Sequence, residues 1–242
     1  MNLYQTEGIV FKAIKYGETS LICDIYTRER GLKSFIVSGV RSVKSSQKAV
    51  IYRPLNIVNI IAYEKDNDKL ARIKEINLSV HYGKLNLDVL TSSVGIFLIE
   101  ICRDAIKERE ANAPMYDFLE ERFLFLDSAD QFDPLFHINF LLNFSTHLGF
   151  GPSSNFDAER FPYFDLEDGT FTPIGMGKYS LNLELSEILN DLINQDISKN
   201  TSKKFPLSVR NRLLDALLIY YRLHISELKE LNSLSVLRQV LT

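Results

Sequence analysis

The N-terminal third of the chain alternates apolar and polar positions with the period of two that β-strands require. Leu21, Cys23 and Ile25 alternate with Asp24 and with other neighbours of mixed polarity, and short polar turns separate stretches of this kind. The pattern predicts five strands, at residues 8–16, 21–26, 32–40, 54–63 and 70–80. Five strands in about eighty residues are typical of a small Greek-key barrel such as an OB-fold.

After His81 the apolar positions recur at helical spacing instead. Helices are expected around residues 94–105, 118–126, 136–148, 184–194, 207–225 and 233–241. Between them, residues 149–182 are irregular and carry five aromatic side chains, at positions 156, 161, 163, 164 and 171. We therefore predict an α+β multidomain protein. An OB-fold barrel over residues 1–80 precedes an α-helical domain over 81–242, which contains a small loop-rich, aromatic insertion at 149–182.

Charge is divided unevenly between these two parts. The net charge is −3, but residues 1–80 carry 13 basic and 8 acidic side chains, whereas the remainder carries 15 and 23. A basic barrel joined to an acidic helical part favours a polyanionic partner for the barrel, and chance asymmetry is the alternative. Only two cysteines occur, Cys23 and Cys102, too few for a zinc site or a disulfide framework. A reducing cytoplasm is the expected compartment.

Candidate catalytic groups are few. The four histidines are scattered and none has a partner at a metal-ligand spacing, so each is expected to be structural. Asp165, Glu167 and Asp168 cluster beside Gly169, and they suit either a general acid/base pair or a hairpin turn. The turn is favoured because Asp-Gly is a common turn pair. No catalytic residue and no enzymatic activity are predicted.

A basic loop is the strongest candidate for binding. Arg41, Lys44 and Lys48 lie within eight residues, Arg53 follows, Lys33 precedes on a strand, and residues 32–63 contain no acidic side chain. Lysines and arginines on a flexible loop beside a barrel can follow a phosphate backbone. An ordinary solvated loop is the alternative, and composition leaves the two open.

Short motifs in the first eighty residues resemble the N-terminal domain of the RecO family, and a later turn resembles the turn after that family's central helices. The order and spacing of these motifs carry the resemblance, since each is weak alone. They are Glu7-Gly8-Ile9-Val10, Tyr16-Gly17-Glu18-Thr19, Tyr26-Thr27-Arg28-Glu29-Arg30-Gly31, Gly39-Val40-Arg41 and Leu148-Gly149-Phe150-Gly151-Pro152.

The resemblance implies a non-enzymatic mediator of DNA repair and recombination. Such a protein binds single- and double-stranded DNA, anneals complementary strands, and assists RecA loading together with RecR and single-stranded-DNA-binding protein. It implies a cytoplasmic, nucleoid-associated location. Arg41 matches a family DNA-contact position, and Lys44 and Lys48 fall in the family's basic loop. Ser38 stands where the family often has a basic residue, and the resemblance therefore implies either weaker DNA contact at this point or a shift of contact to Lys33.

Many RecO proteins carry a four-cysteine zinc site, but no cysteine follows Cys102 here. We therefore expect neither zinc nor another cofactor. Two rivals remain: an OB-fold protein-interaction module without direct nucleic-acid binding, and a hydrolase that uses the Asp165 cluster.

Overall fold

A computed structural model describes residues 3–40, 46–63, 70–175, 177–194 and 205–241, with the side chains of residues 46–48 outside the description. Five N-terminal strands close into a barrel in the order β1-β2-β3-β5-β4. The strands are β1 (Leu3–Tyr16), β2 (Ser20–Thr27), β3 (Gly31–Val37), β4 (Ile57–Tyr63) and β5 (Ala71–Leu78), and a 3₁₀ helix (Ser46–Tyr52) lies between β3 and β4. The predicted five-stranded OB-fold is confirmed.

The long first strand explains how the barrel closes. β1 pairs antiparallel with β2 through its C-terminal half and with β4 through its N-terminal half, and its register shifts between Val10 and Lys12. Bulges of this kind bend a strand enough to let it serve both neighbours. The last gap is closed by a short parallel contact in which Phe35 pairs with Ala71 and Ile36 pairs with Arg72. The alternating apolar positions fill the barrel, with Val10, Cys23, Ile25, Phe35 and Ile60 fully buried.

Helices and a small hairpin make up the rest of the described chain. The helices are α1 (Lys84–Leu87), α2 (Val89–Ala105), α3 (Ala113–Ser128), α4 (Phe136–His147), α5 (Leu183–Ile193), α6 (Leu207–His224) and α7 (Leu234–Val240), and the hairpin strands are β6 (Tyr163–Asp165) and β7 (Thr170–Thr172). The side chains of Asp88, Asn112 and Asn182 cap α2, α3 and α5 by accepting hydrogen bonds from backbone N–H groups. No helix among the described residues is long and apolar enough to cross a membrane.

Two compact units divide the chain. The first comprises Met1–Asp130 together with Leu231–Val240, and the second comprises Gln131–Glu230 with the last two residues. Helices α1, α2, α3 and α7 therefore belong with the barrel. The boundary near residue 80 separates strands from helices, and it stays a prediction as a domain boundary.

A strained residue joins the barrel to α2 within the first unit. Leu55 has a φ of 78°, in the left-handed region that leucine rarely adopts, and it is 5% exposed. Its backbone N–H donates to the Val10 carbonyl, and its side chain occupies space that a Cβ on Gly95 of α2 would fill, 2.9 Å away. Packing against a glycine offsets the backbone strain.

Aromatic packing organises the second unit. Phe164 and Phe171 on the β6–β7 hairpin pack edge to face at 4.9 Å, and Phe150 stacks on His224 at 5.1 Å. The aromatic core expected in residues 149–182 is confirmed at Phe164 and Phe171, which are buried. Phe161 is exposed instead, because it lies beside a tight turn where Asp157 and Phe161 form an isolated β-bridge.

Candidate nucleic-acid interface

The structure describes the side chains of only two of the five predicted DNA-binding residues, Lys33 and Arg53. Arg41 and Lys44 fall outside the described residues, and Lys48 lies in the 3₁₀ helix with its side chain outside the description. Arg53 is exposed directly after that helix, where its backbone N–H donates to the Val50 carbonyl. The loop and Arg53 therefore flank the same short helix.

Lys33 does not join that group. It pairs with Ile25, a fully buried residue, and side chains of directly opposed residues share one face of a sheet. Lys33 thus lies on the inner face of the barrel and is half-buried. β3 ends at Val37, four residues after Lys33. Four residues span roughly 13 Å along a strand. A shift of DNA contact from Ser38 to Lys33 stays a prediction, and Ser38 lies one residue beyond the end of β3.

A groove opens where β3 and β5 separate. β3 ends at Val37, whereas β5 continues to Leu78, and beyond the Ile36–Arg72 pair no register between them is formed. The resulting cavity has a volume of about 570 Å³. It lies between β5, the end of β3 and the 3₁₀ helix, and its walls include Ile36, Ile51, Tyr52, Arg72, Ile73 and Lys74.

Two basic side chains on β5, Arg72 and Lys74, line the groove together with the acidic Glu75. Arg72 and Lys74 are exposed, and Lys74 Nζ lies 3.8 Å from the Glu75 carboxylate. An exposed ion pair at this distance contributes little, so Lys74 stays available to an anion. Sequence reasoning missed both residues because they read as the ordinary outward polar positions of a strand. The usable signal was a basic pair at a spacing of two.

Tyr52 forms part of the groove wall and is 4% exposed. Burial raises the pKa of its phenol well above the usual value, with a smaller effect from Cys23, so the hydroxyl is neutral and can donate. We find no hydrogen bond from this hydroxyl to another residue in the described part of the chain.

The acidic cluster has a structural role. The Asp165 carboxylate accepts hydrogen bonds from the backbone N–H groups of Glu167 and Asp168 and from the Ser180 hydroxyl. It thereby stabilises the turn between β6 and β7, and the hairpin interpretation is confirmed. His137 is likewise buried, and desolvation, reinforced by Arg210, lowers its pKa to about 3.

The residues present do not fit a thiolate zinc site. Residues 149–182 contain no cysteine, and Asp157 and Asp165 there are held by backbone N–H donors. Both cysteines of the chain are buried, and burial raises the pKa of Cys23 to about 12 and that of Cys102 well above its usual value. In the described ranges no three His, Cys, Asp or Glu side chains come together as a metal site would require.

The fold and the groove define an OB-fold protein with a helical C-terminal part and a cleft between β3 and β5 that carries two exposed basic side chains. Residues 1–82 match the family described as recombination protein O N terminal, and residues 86–234 match recombination protein O C terminal. The chain belongs to the RecO family.

Relatives align with this chain over nearly the full length of both partners. "DNA repair protein RecO" of Phocaeicola vulgatus is 35% identical, and the alignment covers 98% of this chain and 99% of the relative. The protein of the same name from Christiangramia forsetii is 34% identical over 98% and 99%. That from Flavobacterium psychrophilum is 34% identical over 98% of each.

Proposed function

We propose that this protein is a DNA-binding recombination mediator that acts without catalysis. The main support for this proposal is that both halves of the chain match the RecO family, which supports a role in DNA repair. On this proposal the barrel binds single- and double-stranded DNA and anneals complementary strands. Its partners are RecR and single-stranded-DNA-binding protein during RecA loading, and it acts at the nucleoid in the cytoplasm.

Electrostatics supply the physical basis for annealing. Two DNA strands repel each other through their phosphates, and bound cations reduce that repulsion without any bond being made or broken. The barrel offers Arg72 and Lys74 as exposed cations at the groove and Arg53 as an exposed cation directly after the 3₁₀ helix. Arg41 and Lys44 lie in the sequence that leads into that helix. The Asp165 cluster gives no support to a hydrolase, because its central carboxylate is occupied in a turn.

The test measures binding and annealing with the full-length protein. A labelled single strand is titrated by fluorescence anisotropy at several salt concentrations, and annealing of complementary strands is followed by energy transfer between two dyes. Binding that weakens as salt increases, together with faster annealing, supports the proposal. The rival, a protein-interaction module, predicts neither.

A further inference from the structure

β5 presents a partly unpaired edge to the groove. On its β3 side it pairs only through Ala71 and Arg72, and the later residues Ile73 and Lys74 find no strand partner there among the described residues. An unpaired strand edge exposes backbone N–H and C=O groups that can form hydrogen bonds with another molecule. The groove therefore has a polar backbone wall.

Apolar side chains form another part of the lining, beside the polar side chains of Ser38, Glu75 and Asn77. Ile36, Ile51, Ile73 and Ile76 line the groove, and each is only half-buried, so part of each side chain meets the cavity. A volume of 570 Å³ lies within the range of small-molecule clefts, roughly 300–1,000 Å³. A flat ligand with an apolar face and polar edges matches this combination.

The two basic side chains at the groove, Arg72 and Lys74, favour a ligand that carries phosphate groups. Arg72 and Lys74 project from the same strand two residues apart, and Arg72 has no ion pair with another described residue. Successive phosphates of an extended single strand can meet cations on one strand edge.

We propose that this groove accepts one unpaired base of single-stranded DNA, with Arg72 and Lys74 on the adjoining phosphates. The inference rests on the proposed function and deepens it. Isoleucine side chains contact the face of the base, while the β5 edge and the Tyr52 hydroxyl supply partners for its polar rim. A duplex cannot offer such a base without unpairing and unstacking it, which costs free energy. The protein should therefore prefer single strands to duplex.

The experiment uses the full-length protein and a single strand that contains one 2-aminopurine, a fluorescent base whose emission increases when it leaves its stack. Ser38→Trp places a bulky ring in the groove from an exposed position on its wall. Arg72→Ala removes a cation. Lys12→Ala is the matched control, because Lys12 is exposed on β1, which pairs with β2 and β4 and not with β5.

With the wild-type protein and Lys12→Ala, 2-aminopurine emission should increase on binding, and a strand of equal length with abasic sites should bind on the order of tenfold more weakly. Ser38→Trp should abolish the emission change, and it should make the affinities for the normal and the abasic strand equal. Arg72→Ala should weaken both strands equally. Circular dichroism confirms folding, and the abasic comparison needs no variant.

Two results overturn the inference. They are equal affinity of the wild-type protein for normal and abasic strands, and an emission change that persists in folded Ser38→Trp. In each of these the salt-dependent DNA binding remains, so the proposed function stands. If the wild-type protein binds no DNA, the proposed function fails as well.

Discussion

The Glu100 carboxylate on α2 holds Ser233, the residue that precedes α7. Glu100 is 7% exposed, and it accepts hydrogen bonds from the backbone N–H of Ser233 at 2.9 Å and from its hydroxyl at 2.5 Å. Asn232 donates two more, from its backbone N–H and its side-chain amide. A chain segment more than one hundred and thirty residues away is thereby fixed to the barrel unit through one carboxylate.

Glu100→Gln should loosen this anchor. The amide retains the shape but loses the charge, and one of its ends cannot accept from N–H donors, so we expect a loss of about 1–3 kcal/mol in the free energy of unfolding. The measurement is urea denaturation at neutral pH. Glu187→Gln, an exposed change on α5, is the control and should leave the free energy of unfolding nearly unchanged. Equal stability of the wild-type protein and Glu100→Gln would contradict the anchoring role.

The same carboxylate predicts a pH dependence. Burial opposes its ionisation, but the hydrogen bonds from Ser233 and Asn232 outweigh burial and lower the pKa of Glu100. A carboxyl whose pKa is lower when folded stabilises the fold above its unfolded pKa, and this contribution is lost as pH falls through the folded value. The stability gap between wild type and Glu100→Gln should therefore narrow in acid. A gap that widened as pH fell would contradict this assignment.

Gly31 should tolerate no side chain. Its φ is +63°, and an added Cβ would lie 2.2 Å from the Glu110 carbonyl oxygen in the segment between α2 and α3. Gly17 provides the matched control, because its φ is +60° but nothing lies within 4 Å of its Cβ position. Gly17→Ala should cost about 1–2 kcal/mol for the left-handed backbone alone. Gly31→Ala should cost a further ~1–3 kcal/mol because backbone must move.

Urea denaturation of both variants separates the two effects. The difference between them reports the contact of β3 with residues 108–110, where the Leu32 N–H also donates to the Glu108 carbonyl. Equal stability of the two variants would mean that residues 108–110 can move away from the added Cβ at no cost in free energy.

Zinc should not be needed for folding. Because residues 149–182 hold no cysteine and their hairpin is packed through Phe164 and Phe171, we expect no stoichiometric zinc and no loss of structure on chelation. Elemental analysis and thermal denaturation with and without a chelator are the measurements. About one zinc per chain, or a lower melting temperature with the chelator, would refute the expectation.

Alternation along the chain was enough to predict the barrel, because one face of each strand is buried. It placed the fourth strand too early, at residue 54, whereas β4 begins at Ile57. The reason is local: Leu55 has a positive φ, held by packing against Gly95, and no strand pattern reveals that contact. The 3₁₀ helix was missed because a short helix of this type lacks a distinctive period.

The groove could not be predicted for a different reason. It depends on the short parallel contact between β3 and β5, which joins residues far apart in sequence. Arg72 and Lys74 become candidates only when that contact is known. Lys33 becomes a weaker candidate because β3 pairs with β2, where its partner Ile25 places it on the inner face of the barrel. The basic loop itself was readable from composition.

The basic loop therefore yields the prediction that depends least on structure. Arg41, Lys44 and Lys48 lie in a stretch, residues 32–63, in which every charged side chain is positive. Each phosphate contact releases bound counterions, so losing one contact lowers the steepness of log affinity against log salt by about 0.7 for single strands. Replacing all three with alanine should flatten the slope by roughly two units. The loss should be similar for any DNA sequence, because phosphates carry no base identity.

Fluorescence anisotropy at several salt concentrations measures this slope, and circular dichroism checks that the triple variant is folded. The control replaces Lys12, Lys15 and Lys107 with alanine, which removes the same charge from exposed positions on β1 and after α2. If net charge alone governed binding, both triple variants would flatten the slope equally. A slope unchanged in the folded loop variant would mean that the loop is only solvated. Other exposed cations, such as Arg53 after the 3₁₀ helix and Arg72 and Lys74 at the groove, would then carry the phosphate contacts.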